Sequence, residues 1–151
     1  MPPAIISAQR VVYVPMDQAR DWFLSLEDHP ERYRFATHDG IQFVHGSFGE
    51  VGSRFKTRES FYFLKLALLF ELFEVGETWF SFRLVSPSWA QVWGAFRMQA
   101  LSSESISLYL EIGSFNQWGQ FWLRFFPVAA AIRRQITREV VHVKTSMESG
   151  I

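Results

Sequence analysis

Polar and apolar positions alternate through the middle of the chain, from Ile41 to about Phe115. The clearest run is 106–112, in which isoleucine and leucine alternate with serine, tyrosine and glutamate. The segments 54–61 and 80–84 alternate in the same way. A period of two is typical of strands with one covered and one wet face. The pattern therefore predicts an antiparallel sheet over this region.

Clusters of glycine, proline and serine separate the predicted strands at four places: 46–52, 76–77, 86–88 and 102–104. A further reversal is needed, because 55–75 is too long for one strand. No glycine or proline marks it, and we place it near Phe63, Leu64 and Lys65.

The N-terminal part combines a strand with two short helices. Ile5 to Val14 is rich in β-branched residues and ends at Pro15, which favours a strand. A short amphipathic helix follows, with apolar residues at helical spacing: Ala19, Trp22, Phe23 and Leu26. A second short helix is expected from Asp28 to near Phe35, with Pro30 at its first position. We expect a turn at 38–40.

The C-terminal part has a helical period. With successive residues 100° apart, Ile132, Ile136 and Val143 lie in one apolar stripe. Glu139 falls inside the same stripe, whereas Val141 points away from it. A carboxyl group is therefore expected to face the protein interior.

An aromatic run precedes this stripe and stays in register with it across Pro127: Trp118, Phe121, Trp122 and Phe125, followed by Phe126. We therefore expect one long helix from Gln117 to Met147 with a kink at Pro127. The alternative is a separate helix that starts at Pro127. The aromatic side chains themselves either belong to the core or line the mouth of a cavity.

Charge and composition exclude several classes of function. Fifteen basic residues balance fifteen acidic ones and form no basic block, which argues against a nucleic-acid surface. Cysteine is absent, so disulfides and cysteine-based metal sites are excluded. The most apolar run, 61–73, is too short and too charged for a transmembrane helix. With no signal peptide expected at the N-terminus either, the sequence predicts one cytoplasmic domain, residues 1–151.

Three stretches resemble the START-like, or SRPBCC, superfamily: Val12–Pro15 leading into a helix with Trp22 and Phe23, Gly52–Arg58 opening a strand, and Val140–Lys144 closing a terminal helix. The order of predicted elements is also similar over the whole chain. The resemblance implies an α+β helix-grip fold. In that fold a curved antiparallel sheet of about seven strands wraps around a long C-terminal helix, and a ligand cavity lies between them. The superfamily shares no active-site motif, so no catalytic residue is implied.

The inward positions of the sheet and helix define the expected ligand-binding residues. They are Phe55, Thr57, Glu59, Phe82, Phe96, Met98, Leu108, Leu110, Phe125, Ile132, Ile136 and Glu139. A carboxylate that faces an apolar cavity is unfavourable unless it is paired, and its pKa tends to rise. Glu59 and Glu139 are therefore the candidates for a polar ligand contact or for general acid–base catalysis. Alternatively, each pairs with an arginine at the cavity edge, or one register is displaced by a residue.

Other chemistries have little support. None of the four histidines forms a metal-binding helical pair, and His29 and His38 are expected in solvated positions. The glycines at 46–52 lie between two strands, unlike those of a phosphate loop, and no Gly-x-Ser-x-Gly elbow is present. We therefore expect neither a metal nor a cofactor.

Three functions remain open. The first is non-catalytic binding or transport of a hydrophobic small molecule, such as a lipid, an isoprenoid or a polyaromatic metabolite. The second is an enzyme of the polyketide-cyclase type, a lyase or isomerase that uses an inward glutamate. The third is a regulatory module that binds a protein partner. The chain is expected to be a monomer or a homodimer, and transient membrane contact is left open.

Overall fold

A computed structural model describes residues 1–36, 38–61 and 64–150, with Phe61 described through its backbone alone. The strands are β1 Ile6–Val12, β2 Arg34–Phe35, β3 His38–His45, β4 Arg54–Phe61, β5 Leu64–Val75, β6 Trp79–Ser86, β7 Val92–Ser102 and β8 Ser105–Ser114. The helices are α1 Met16–Leu24, α2 Gln117–Arg124 and α3 Phe126–Glu148, and 3₁₀ turns cover Ser25–Glu27 and Pro30–Tyr33.

All eight strands form one antiparallel sheet in the order β1-β8-β7-β6-β5-β4-β3-β2. Consecutive strands from β2 to β8 are neighbours, and β1 pairs with β8 at the edge of the sheet opposite to β2. The predicted α+β helix-grip architecture and its four marked turns are confirmed. The sheet has eight strands instead of about seven, because the two-residue β2 pairs with β3.

Two other turns were predicted, one near residues 63–65 and one at residues 38–40. Phe61 pairs with Leu64, so the strands reverse before Leu64; Leu64 and Lys65 already belong to β5, and Phe63 lies outside the described residues. The predicted turn at 38–40 is wrong, because these residues begin β3. Phe35 pairs with His38, which places the reversal before His38 and turns its side chain inward.

The predicted faces of the sheet are confirmed. Arg54, Lys56, Arg58 and Arg83 are exposed, whereas the residues expected inside are buried: Phe82, Leu108 and Leu110. Glu111, also expected on the outer face, is half-buried and accepts a 2.9 Å hydrogen bond from Arg97 on the neighbouring strand. The alternation of polar and apolar residues thus sets the register of β4, β6 and β8.

The predicted single terminal helix is wrong. The first helix ends at Arg124, Phe125 has an extended backbone (φ −69°, ψ 122°), and α3 starts at Phe126. Pro127 has no N–H to donate to the carbonyl group four residues earlier, and its ring would clash with that carbonyl. The same residue fits well in the first turn of a new helix, where no such bond is needed.

The second helix of this pair lies across the concave face of the sheet. It packs mainly against β1 and β8 and buries Ile136, Val140 and Val143 there. Glu139 is buried and Val141 is exposed, as the helical phase predicts. Among the described residues, none of the helices is both long and apolar enough to span a membrane.

Candidate ligand-binding site

A cavity of about 280 Å³ lies between the concave face of the sheet and the N-terminal half of α3. Its volume is close to the lower end of the roughly 300–1,000 Å³ that is usual for small-molecule sites. Most of its wall is apolar, and the lining residues include Phe55, Phe70, Phe82, Phe96, Leu68, Leu84, Leu110, Ile112, Ile132 and Ile136. The cavity is therefore suited to an apolar molecule.

The cavity exists because α3 packs mainly against one end of the sheet, at β1 and β8. Space remains between the helix and the residues of β4 to β6 that line the cavity. Gly94 of β7 contributes to this space, since a Cβ atom at this position would lie 2.5 Å from the ring of Phe82. Its lack of a side chain allows Phe82 to lie close against β7.

Six buried polar side chains line the cavity as well, and they belong to one connected group: Tyr33, His38, Thr57, Glu59, Gln135 and Glu139. They come from four elements: the second 3₁₀ turn, β3, β4 and α3. The two strands bring His38 opposite Glu59. Four residues separate Gln135 from Glu139, so both lie on one face of α3. These contacts create a single polar end in an otherwise apolar cavity.

Hydrogen bonds hold both glutamates. The hydroxyl group of Tyr33 donates to Oε1 of Glu139 over 3.0 Å, and the hydroxyl group of Thr57 donates to Oε2 of Glu59 over 3.0 Å. Gln135 also hydrogen-bonds to Glu59. The alternative that each glutamate pairs with an arginine at the edge is therefore wrong; the partners are neutral groups inside the cavity.

Burial changes the acidity of both carboxyl groups. It raises the pKa of Glu59 from 4.5 to about 7, although the hydrogen bonds from Thr57 and Gln135 act in the opposite direction. The pKa of Glu139 is raised well above its usual value, first by burial and then by the negative charge of Glu59. At least one of the two carboxyl groups therefore keeps its proton near neutral pH.

His38 is neutral and carries its proton on Nε2. The backbone N–H of Gly40 donates to Nδ1 of His38 over 3.1 Å, so the ring proton must be on the other nitrogen. Burial, followed by the charge of His142, lowers the pKa of His38 to about 3. Its Nε2 lies 3.7 Å from Oε1 of Glu139, which is too far for a hydrogen bond. Because the ring is neutral, the two side chains do not form an ion pair either. The expectation that His38 is solvated is wrong, because it is only 2% exposed.

This arrangement bears on metal binding. His38, Glu59 and Glu139 each offer one atom that could bind a metal ion, and these three atoms lie within 4.8 Å of one another. The sequence did not predict this grouping. A metal ion would need the lone pair of a histidine nitrogen. In His38 one nitrogen accepts from Gly40 and the other carries the proton, so the ring offers no free lone pair. The cluster is better suited to hold and move protons.

Nine of the twelve predicted site residues line the cavity: Phe55, Thr57, Glu59, Phe82, Phe96, Leu110, Ile132, Ile136 and Glu139. The other three lie elsewhere. Met98 and Leu108 are buried in the core. Phe125 is 45% exposed and is the residue that separates α2 from α3. The sequence reasoning missed Tyr33, His38 and Gln135. Only Gln135 could have been found, because the helical phase places it near the inward stripe.

The aromatic run before α3 is not part of the core. Trp122 is half-buried and lines the cavity, whereas the other members are exposed: Trp118, Phe121, Phe125 and Phe126. The exposure of these four rings contradicts the alternative that the run belongs to the core.

Neither a protein-family model nor a curated protein matches the sequence. Several solved structures share the fold. TTHA0849 from Thermus thermophilus matches with a TM-score of 0.72 and 13% identity, over 96% of this chain and 97% of that one. Ara h 8.0201 matches with a TM-score of 0.67 and 11% identity, over 95% and 97%. The chain has the START-like fold.

A third matching structure differs in length. The di-domain ARO/CYC protein BexL, from the BE-7585A biosynthetic pathway, matches with a TM-score of 0.66 and 15% identity. The match covers 94% of this chain but 45% of BexL. At 11–15% sequence identity, the similarity to these three structures shows the fold alone.

Proposed function

We propose that the protein binds an elongated apolar small molecule, with the polar group of that molecule held at the end of the cavity formed by Glu59 and Glu139. One observation carries this proposal: an apolar cavity ends in a single connected group of buried polar side chains. Apolar walls provide affinity through burial, and the few polar groups orient the ligand.

The charges around the cavity limit the class of ligand. No lysine or arginine is among the described residues that line it, and the polar end contains two carboxyl groups beside a neutral histidine. A carboxylate or phosphate on the ligand would be repelled by an ionised glutamate and would find no cation to pair with. The site therefore favours a ligand with a neutral hydroxyl or carbonyl group, or with an amine.

A second candidate function is acid–base catalysis of the cyclase type. The observation that favours it is the pKa of about 7 of Glu59, beside a second carboxyl group, Glu139, whose pKa is raised well above its usual value by burial. A general base is most effective when its pKa is close to the working pH. Glu59 would remove a proton from the carbon next to a ligand carbonyl group, while Glu139 gives its proton to the carbonyl oxygen and an enol forms. The shared fold with an ARO/CYC protein supports this candidate. No observation in the cavity favours the third hypothesis, a protein-binding module.

Competition for a neutral fluorescent dye tests the proposal. The competitors are a straight-chain alcohol, the amine and the carboxylic acid of equal chain length, at a pH about one unit above the pKa of Glu59. We expect the alcohol and the amine to displace the dye and the acid to bind at least about tenfold more weakly, which corresponds to one pKa unit of interaction. Equal displacement by all three would disprove the proposed head-group preference. No dye binding and no displacement would disprove ligand binding.

Two variants sharpen this test. Glu59→Gln should reduce the preference for the amine over the acid, because it removes the carboxyl group that is ionised at this pH. The matched control is Glu104→Gln, on the exposed turn between β7 and β8, which should leave all three affinities unchanged.

Hydrogen exchange separates binding from catalysis. A methyl ketone of the same chain length is incubated with the protein in D₂O, and the loss of protons next to the carbonyl group is followed by NMR. Catalysis requires faster exchange with the wild type than with Glu59→Gln, while both bind the ketone. Equal exchange rates would leave binding as the function and exclude enolisation by Glu59.

A further inference from the structure

Five large aromatic side chains lie exposed near the cavity mouth, and we call them the aromatic rim: Trp89, Trp118, Phe121, Phe125 and Phe126. Phe126 is 80% exposed and Trp118 is 54% exposed. The ring centroids of Trp89 and Trp118 are 6.3 Å apart, and those of Phe121 and Phe125 are 6.0 Å apart. A clustered apolar surface of this kind usually marks contact with a membrane or another macromolecule.

The aromatic rim is continuous with the cavity. Trp89 lines the cavity directly, and so does Trp122, which packs edge-on against Trp118 with centroids 5.7 Å apart. Trp122 also packs against Phe125, with ring centroids 5.6 Å apart. A molecule that leaves the cavity past Trp89 and Trp122 therefore meets the rim.

The charged residues in the chain segment that carries most of the rim have one sign. The chain contains no aspartate or glutamate between Glu111 and Glu139, but it contains four arginines in this stretch: Arg124, Arg133, Arg134 and Arg138. Arg124 and Arg133 are exposed and make no ion pair with any residue that the structure describes. Arg133 follows Phe126 by two helical turns, so both lie on one face of α3. Exposed aromatic rings with arginines beside them are typical of segments that lie in a membrane interface.

We propose that the aromatic rim inserts into the interface of a membrane containing anionic lipids, with Arg124 and Arg133 contacting the lipid head groups and the cavity mouth facing the bilayer. A second copy of the chain fits this surface less well. A twofold contact would bring the same unpaired arginines of both copies together, and like charges repel. The proposal does not depend on which ligand occupies the cavity.

Vesicle co-sedimentation tests the proposal with the whole chain. The probes are vesicles of phosphatidylcholine alone and of phosphatidylcholine mixed with phosphatidylglycerol. We expect binding to the mixed vesicles that weakens as salt is added, because salt screens the arginine–lipid attraction. Phe126→Ser should weaken this binding about tenfold or more, as expected for the loss of one buried phenylalanine. The double variant Arg124→Glu/Arg133→Glu should abolish the preference for the anionic vesicles.

Two matched variants control for general effects. Tyr13→Ser removes an exposed ring outside the rim, and Arg10→Glu reverses an exposed charge on β1. Both should bind vesicles as the wild type does, and dye binding without vesicles should be the same in all variants. The proposal is overturned if the wild type does not bind the mixed vesicles, or if the controls lose as much binding as the rim variants. It is also overturned if the wild type self-associates in solution and Phe126→Ser makes it monomeric.

Discussion

Glu59 on β4 and Glu139 on α3 approach each other across the polar end of the cavity, with a carboxylate oxygen of one within 4.8 Å of a carboxylate oxygen of the other. Sheet and helix thus each contribute one acidic group to a site with no lysine or arginine among its described lining residues. The protonation of this pair connects the binding of a ligand, the pH and the stability of the fold.

The first prediction concerns ligand binding and pH. As the pH rises through about 7, Glu59 loses its proton and the polar end becomes more negative. The affinity for a straight-chain amine should therefore rise across this range, and the affinity for the corresponding acid should fall. Dye displacement at several pH values measures both. The alcohol serves as the control and should show little change; a pH dependence equal for all three compounds would point to a general effect on the protein.

The second prediction concerns stability and pH. The pKa of Glu59 is raised from 4.5 to about 7 in the folded protein, so its favourable contribution is complete below 4.5 and is lost as the pH rises through about 7. The raised pKa of Glu139 acts in the same direction. The lowered pKa of His38 acts oppositely, but its contribution is complete above 6.5. The free energy of unfolding should fall by roughly 1–2 kcal/mol between about pH 6.5 and pH 8.

Urea unfolding at both pH values measures this change. Glu139→Gln should flatten the dependence, because its amide group cannot ionise. Glu104→Gln should keep the wild-type dependence. Stability that rises over this range would show that the two carboxyl groups are not held in their protonated form.

The third prediction concerns the size of the cavity. Phe82 packs against Phe55, Phe70 and Phe96 in the cavity wall. Phe82→Ala should allow bulkier ligands to bind and should destabilise the protein by about 3–5 kcal/mol. Phe80→Ala, a fully buried phenylalanine of the same strand that does not line the cavity, is the matched control. It should reduce stability to a similar degree without changing ligand size; if both variants accept the same ligands, Phe82 does not limit the cavity.

The fourth prediction concerns the packing of α2 against β8. A Cβ atom at Gly119 would overlap the carbonyl oxygen of Ala90 and the hydroxyl group of Ser114, so this helix can approach β8 only with glycine at this position. Gly119→Ala should destabilise the protein by about 1–3 kcal/mol. Gly49→Ala is the control, because its nearest neighbour is the end of the Leu24 side chain at 3.2 Å. Thermal unfolding compares them, and equal losses would contradict a close packing role for Gly119.

The sequence was sufficient where a periodic pattern extended over several residues. The alternation around Phe82 and Leu110 gave the correct faces of the sheet, and the phase of α3 placed Glu139 inside. The sequence offered a break at Pro127 only as the alternative to one long helix, because the apolar stripe stays in register across Pro127 even though the backbone does not. Periodicity describes which side a residue faces but does not show where a helix is interrupted.

The polar end was only half predicted for a related reason. Glu59 and Glu139 belong to regular elements, so their direction follows from the period. Tyr33 and His38 belong to a 3₁₀ turn and to the first residue of a strand, where no period is established. Their position depends on how β2 and β3 pair, which is a property of the folded chain rather than of a local pattern.

The connected polar side chains and the aromatic rim also give the cavity a direction. With the proposed function, a molecule would enter with its polar group first and stop when that group reaches the two glutamates, while its tail points to the aromatic rim. Selection would then depend on the polar group alone. Tails of different length would be accepted, because any surplus would extend out among the exposed rings, whereas a small change in the polar group would decide whether the molecule is retained.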